Sequence, residues 1–290
     1  MQSSKSPRIG LIGLGLMGHG IGRNLLKHGH PLTVMGHVNR KPVDSLVGLG
    51  ATEASSAAQL TRDSDVVILC VTGSPQVESL VYGESGILSA IQPGQVVIDC
   101  STSEPSSSAR INDDLCKAGA TFVDAPLGRT PAEAEQGRLN TMVGATPEVL
   151  ETVRPVLSAF CENIIHVGGV LSAQKIKLIN NFVFCGAATL IAEALRTCDR
   201  VGVSREALYA LMSKGALSSG LLQSTAGEIL NGNYAGVKFS IGNASKDLSY
   251  FNNLIAEFGG AESLAPDVAR VLKQAVDRGQ GDQFLPELAR

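Results

Sequence analysis

Arg8-Ile9-Gly10-Leu11-Ile12-Gly13-Leu14-Gly15-Leu16-Met17-Gly18 decides the fold. The apolar run over residues 8–13 ends in glycine and reads as a short buried strand. From 16 to 27 the pattern turns helical, and His28-Gly29-His30 stops it. Between the two, Gly13-x-Gly15-x-x-Gly18 places three glycines where a strand passes directly into a helix. Alone, G-x-G-x-x-G is a weak pattern; in this setting it is a dinucleotide-binding fingerprint. Gly13 allows the tight turn, Gly15 lets the backbone approach a pyrophosphate, and Gly18 lets helix and strand pack closely. Free N–H groups around Leu16 and Met17, at the positive end of the helix, would hold the phosphates.

Outward from this stretch, short apolar or β-branched runs predict strands at 32–35, 65–71, 95–100, 120–124, 140–143 and 163–167. Helical stretches such as 41–49, 105–117 and 147–159 lie between them. Uniformly apolar strands alternating with helices imply a parallel sheet covered on both faces. After Gly168-Gly169 no strand pattern follows. Residues 172–202 read as one long helix, nearly all apolar from 182 to 192, and the rest as helices broken by glycines at 215, 220, 232, 236, 259–260 and around 279–281. The expected fold class is therefore α/β, with an N-terminal Rossmann-type doubly wound parallel sheet and an all-α C-terminal domain joined by a long interdomain helix. The expected domains are 1–167 for the dinucleotide and 168–290 for substrate and oligomerisation.

Composition excludes several function classes. The 290 residues carry 24 Lys+Arg against 27 Asp+Glu, a formal charge of -3, with no basic excess to suit a nucleic-acid partner. Hydrophobic residues are 44% and charged ones 18%, which suits a large core and not a disordered chain. The six cysteines show no C-x-x-C spacing and mostly sit in apolar runs, as buried free thiols do in a reducing compartment. The five histidines form no pair on a helix face, so no metal is expected. Residues 1–8 are polar without a signal-peptide core, and the longest strongly apolar run, 182–192, is too short to span a bilayer. A cytoplasmic protein with no membrane partner is the expectation.

The end of the second strand indicates which dinucleotide. An NAD site usually has Asp or Glu there for the ribose 2′-hydroxyl. Here the residues are Met35-Gly36-His37-Val38-Asn39-Arg40-Lys41, with no acid. His37, Asn39 and Arg40 would suit a 2′-phosphate, so NADP(H) is favoured over NAD(H). Val71-Thr72 and Ser101-Thr102 follow predicted strands, and ligands in open α/β sheets sit beyond such carboxyl ends. Each could equally be a helix cap. Lys177 and Asn181 stand four apart near the start of the long helix and share a face at the expected domain junction. A lysine flanked by apolar residues is readily desolvated, which lowers its pKa toward the range useful for proton transfer.

Gly13–Gly18, Ser101-Thr102, Asp124-Ala125-Pro126, Lys177-x-x-Asn180-Asn181 and Lys246-Asp247-Leu248 occur in the order seen in β-hydroxyacid dehydrogenases, and the chain resembles that family over nearly its whole length. The family includes 3-hydroxyisobutyrate dehydrogenases and tartronate semialdehyde reductases. The resemblance implies Lys177 as general acid or base. It implies Asn181, Ser101, Thr102, Gly128 and Arg129 as substrate contacts, and Lys246 as a further cofactor contact with Asp247 structural beside it. Where the family has D-A-P-V-S-G-G, this chain has Asp124-Ala125-Pro126-Leu127-Gly128-Arg129-Thr130, which resembles the branch of 3-sulfolactaldehyde reductases. A guanidinium there could grip a second carboxylate, sulfonate or phosphonate; the alternative is a loop charge facing Glu133 or Glu135. Phe182-Val183-Phe184 follow the Asn pair, where that branch is polar. Leu171 and Ala173 occupy the glycine positions of the family's G-x-G-x-x-x-K. The expected substrate is a small anionic hydroxy acid or semialdehyde, and the expected assembly a homodimer or homotetramer. The competing readings are an imine reductase-like enzyme and a catalytically silent nucleotide-binding relative, both of which generally lack the lysine.

Overall fold

Residues 6–259 and 263–290 are described by a computed structural model; residues 1–5 of the polar N-terminus and the expected helix break at Gly260 lie outside them. The elements run β1 (Ile9–Ile12), α1 (Gly18–Lys27), β2 (Leu32–Met35), α2 (Lys41–Gly48), β3 (Thr52–Ala54), α3 (Ala57–Arg62), β4 (Val66–Leu69), α4 (Ser74–Tyr82), β5 (Val96–Asp99), α5 (Pro105–Lys117), β6 (Thr121–Asp124), β7 (Leu127–Gly128), α6 (Pro131–Gln136), β8 (Leu139–Gly144), α7 (Pro147–Leu157) and β9 (Cys161–Gly168). They continue through α8 (Ser172–Val201), α9 (Arg205–Lys214), α10 (Gly220–Leu222), α11 (Glu228–Leu230), α12 (Ile241–Glu257) and α13 (Ala265–Ala275).

The sheet order is β3-β2-β1-β4-β5-β6-β8-β7, with β9 beside β8. Its first six strands are parallel and follow the dinucleotide-fold order, with Ile9 paired to Leu32 on one side and Val66 on the other. On β4, Val66 and Ile68 join a core with Ile21, Leu25 and Val123, while Val67 and Leu69 join one with Leu60, Ile111 and Phe122. Alternate residues thus bury on opposite faces, which is why the strand reads as uniformly apolar. The sheet is not parallel throughout: β8 runs antiparallel to β6 and β7. Only the six-residue α6 separates β7 from β8, and a parallel return needs a crossover of a dozen residues or more.

The chain divides into compact units Met1–Lys177 and Leu178–Arg290, a division that falls inside α8. The first turn of α8 counts with the sheet because Asp124, at the end of β6, accepts hydrogen bonds from Leu171 N (2.8 Å) and Gln174 N (2.9 Å). In the helical unit, Cys185, Ala188, Ala192 and Leu195 of α8 pack with Leu222, Ile229, Ile241, Leu248 and Leu272. The expectation of a helix buried all round is corrected, because Ile179, Val183 and Leu190 are about half exposed in the single chain. The length argument against a membrane span is corrected too. At 30 residues, with mean hydropathy 1.6 in its most apolar window, α8 is long and apolar enough to cross a bilayer. The core helix of a soluble protein meets the same criterion.

Candidate active site

The glycine loop follows β1 at the point where the strand order reverses between β1 and β4. Gly13 has φ +96°, and a Cβ there would lie 2.2 Å from the Cys70 carbonyl oxygen. A Cβ on Gly18 would lie 1.8 Å from the Gly13 carbonyl oxygen. Both positions exclude any side chain, whereas Gly15 faces open space, as close approach by a pyrophosphate requires. Leu16 is 79% exposed beside it, and no side chain caps the N-terminus of α1 at Met17. The residues present therefore fit a dinucleotide phosphate group.

At the end of β2, His37, Asn39 and Arg40 are exposed. Asn39 Oδ1 accepts from Lys41 N (3.2 Å) at the start of α2. The 35–41 segment contains no acid, yet a carboxylate stands there. Glu53, carried on β3, accepts from Arg40 Nη1 (2.6 Å) and Nη2 (2.9 Å), and Asp44 accepts from Nη2 (3.0 Å). Arg40 holds the Glu53 carboxyl below its usual range, and Glu53 first, then Asp44, raises the guanidinium.

Beyond β4 and β5 the loops are tied together. Ser101 is buried; its Oγ accepts from Val71 N (3.0 Å) and its N–H donates to Asp99 Oδ1 (2.9 Å). Thr102 beside it is half-buried and Thr72 is exposed. Ser103 Oγ donates to Asp99 Oδ2 (2.6 Å). Gln174 spans the gap to α8, donating to Ser101 O (2.9 Å) and accepting from Ser103 N (2.9 Å). Asp99 is fully buried and its carboxyl is pushed up to about 6 by burial, against the lowering effect of its serine bonds. Burial raises Asp124 as well, opposed by its backbone donors. Ser101, expected at the substrate, is thus engaged by backbone, and Thr102 has the more accessible side chain.

Three residues after Gln174, Lys177 Nζ donates to Leu127 O (2.6 Å), in β7. Gly128 is half-buried in β7, and Arg129 adopts φ +76°. The Arg129 guanidinium bonds Glu162 and the Arg138 carbonyl. Of the two acids expected to face it, Glu133, which caps α6 with Thr130, feels its charge, whereas Glu135 accepts from His19 and Arg23. Leu171 has φ +73°, the left-handed region, which is why glycine suits that position in the family pattern. In the helical unit, Asn181 Nδ2 donates to Asp247 Oδ2 (2.6 Å), both buried. Lys246 Nζ lies 2.8 Å from Asp247 Oδ1 and 4.8 Å from the Tyr250 ring centroid. Burial raises the Cys70 and Cys161 thiols to about 12, far from the range of a working nucleophile.

Sequence reasoning named Asp124 only as part of a motif and missed Asp99, Ser103, Gln174 and Glu53. The one available signal was an Asp closing each of the apolar strands β5 and β6. Fold and fingerprint define an NAD(P)-binding protein of Rossmann type. Residues 8–168 match the NAD-binding domain of 6-phosphogluconate dehydrogenase, and 172–289 the NAD-binding domain of NADP-dependent 3-hydroxyisobutyrate dehydrogenase. The chain is 32% identical to 3-sulfolactaldehyde reductase of Escherichia coli, over 95% of this chain and 92% of the relative. It is 32% identical to 2-hydroxy-3-oxopropionate reductase of the same organism, over 74% and 73%. The 3-hydroxyisobutyrate dehydrogenase of Mycobacterium tuberculosis shares the fold, with TM-score 0.87 at 24% identity over 98% of both chains. The chain belongs to the β-hydroxyacid dehydrogenase family, whose members are dehydrogenases and reductases acting on CH–OH groups.

Proposed function

We propose that this enzyme interconverts a short 3-hydroxy acid, or a doubly anionic hydroxy acid, with its semialdehyde or keto form, using NADP(H) in preference to NAD(H). The observation that carries this reading is the anchorage of Lys177. Its ammonium bonds Leu127 of β7, and its helix is pinned three residues earlier by Gln174 and Asp124. The nicotinamide, when bound, supplies or accepts the hydride. Reduction leaves alkoxide character on the substrate oxygen, and Lys177 Nζ donates a proton there; in the oxidative direction it takes the proton. Asn181, its amide fixed by Asp247, holds the substrate against Lys177.

Thr102, Gly128 and Arg129 complete the substrate contacts, and Ser101 shapes the same loop. The dinucleotide contacts are Gly13, Gly15, Leu16, Met17, Gly18, His37, Asn39, Arg40, Val71, Thr72, Thr102 and Lys246. The two relatives named above reduce 3-sulfolactaldehyde and 2-hydroxy-3-oxopropionate, small anionic aldehydes, which supports this substrate class. We assign residues 1–167 to the dinucleotide and 168–290 to substrate and assembly, in a cytoplasmic homodimer or homotetramer; the half-exposed Ile179, Val183 and Leu190 support that assembly. The test is oxidation of NADPH and NADH, followed by nicotinamide absorbance, with a panel of short semialdehydes and 3-sulfolactaldehyde. Turnover of at least one is expected. Tight cofactor binding with no turnover of any would overturn the reading in favour of a silent nucleotide-binding relative.

A further inference from the structure

We infer that Glu53 tempers cofactor choice, by competing with a 2′-phosphate for Arg40. The inference rests on the proposed dinucleotide site and on Arg40 as its 2′-phosphate contact.

Residue 36, directly after β2, is where NAD-selective folds commonly place an acid. Here it is glycine, and the space its side chain would fill is taken by an ion pair. A Cβ on Gly36 would lie 2.7 Å from Glu53 Oε1 and 2.7 Å from Arg40 Nη1. Glu53 reaches this point from the neighbouring strand, where it is paired in register with Val34. Its two oxygens meet the two terminal nitrogens of Arg40 side by side, at 2.6 and 2.9 Å, the two-pronged geometry in which guanidinium also grips phosphate. A phosphate and Glu53 would therefore compete for the same face of Arg40. With Asp44 also accepting from Nη2, Arg40 meets two carboxylates with its single charge, so these three groups are together net negative.

Two consequences follow. A 2′-phosphate must displace Glu53 from Arg40 and then remain near the freed carboxylate, a like charge that disfavours it. A 2′-hydroxyl can instead donate to Glu53 and leave the pair intact. Glu53 thereby restores from β3 the acid that position 36 lacks, and narrows the preference for NADP(H) that Arg40 creates. Because Arg40 holds the Glu53 carboxyl below its usual range, the brake is fully ionised at neutral pH.

The test is equilibrium binding of NADPH and NADH, read by quenching of nicotinamide fluorescence without turnover, in the parent enzyme, Glu53→Gln, Arg40→Ala and the double variant. Glu53→Gln keeps the side-chain size and removes the charge. The expected result is roughly tenfold tighter NADPH binding, as for loss of one competing charge-assisted pair, with NADH binding unchanged or weaker. In the double variant the NADPH gain disappears, because it acts through Arg40. Unchanged NADPH affinity in Glu53→Gln, while Arg40→Ala weakens NADPH, would overturn the role of Glu53 alone. Unchanged NADPH affinity when Arg40→Ala is added to Glu53→Gln would overturn the 2′-phosphate reading itself. Loss of both cofactors in Glu53→Gln, with an unchanged melting temperature, would show that Glu53 supports the site instead of restraining it, and would also refute the inference.

Discussion

Replacing Asp99 by Asn should make the enzyme more stable at neutral pH and leave it unchanged in acid. Asp99 is fully buried, and burial raises its carboxyl from the ordinary 3.8 to about 6. The native state therefore binds the proton more tightly than the unfolded chain. Stability from this group is complete below the unfolded value and is lost as pH rises through about 6. The interval between the two values corresponds to roughly 3 kcal/mol lost by neutral pH. Asn resembles the protonated acid in shape and charge. Its Oδ1 can accept from Ser101 N, and its Nδ2 can donate to Ser103 Oγ, which turns from donor to acceptor. The variant and parent should match near about pH 4 and separate progressively up to about pH 7, the variant gaining at most about 3 kcal/mol. Urea unfolding of both proteins across this range measures the difference, which cancels contributions from Glu53, Glu133 and Glu162, whose depressed values give the opposite slope. A difference independent of pH would refute the reasoning, since the native carboxyl would then titrate as it does unfolded.

Further outcomes concern other proposed site residues. Asn181→Ala leaves the Asp247 carboxylate without its amide donor; a loss of about 1.5–3 kcal/mol in urea unfolding is expected, with kcat/KM reduced at least about tenfold and NADPH affinity retained. Arg129→Gly tolerates the φ of +76° at that position, so the fold should hold; KM for a doubly anionic aldehyde should rise at least about tenfold while a singly charged one is little affected. Equal effects on both substrates would remove Arg129 from the second anion. Leu171→Gly trades a left-handed leucine for the residue suited to φ +73°, so calorimetry should find a change within about 1 kcal/mol, since lost packing offsets relieved strain.

The parts of the fold that were legible were local. The glycine loop, and the strands around Ile9, Val66 and Val96, carry their signals within a few residues. Short β3, largely exposed at Thr52 and Glu53, and two-residue β7 carry none, and the antiparallel return of β8 hangs on that missing strand. For the candidate site the sequence supplied residue types but not their partners. Lys177, Asn181 and the loop after β6 stood out, yet what holds them is distant in sequence: Gln174 against Ser101, Asp247 against Asn181, Glu162 against Arg129. The absent acid after β2 was read correctly from the segment itself. Glu53 supplies one from the next strand, and only the pairing of β2 with β3 reveals it.

The central claim is that Lys177 moves the substrate proton. Lys177→Met keeps the length of the side chain and removes the ammonium, so its kcat, its pH profile and its NADPH affinity test the claim together. The account predicts a fall in kcat of at least about 10²-fold, loss of the pH dependence that the parent owes to this group, and NADPH binding within a few-fold of the parent. Turnover near the parent rate with an unchanged pH profile would contradict it.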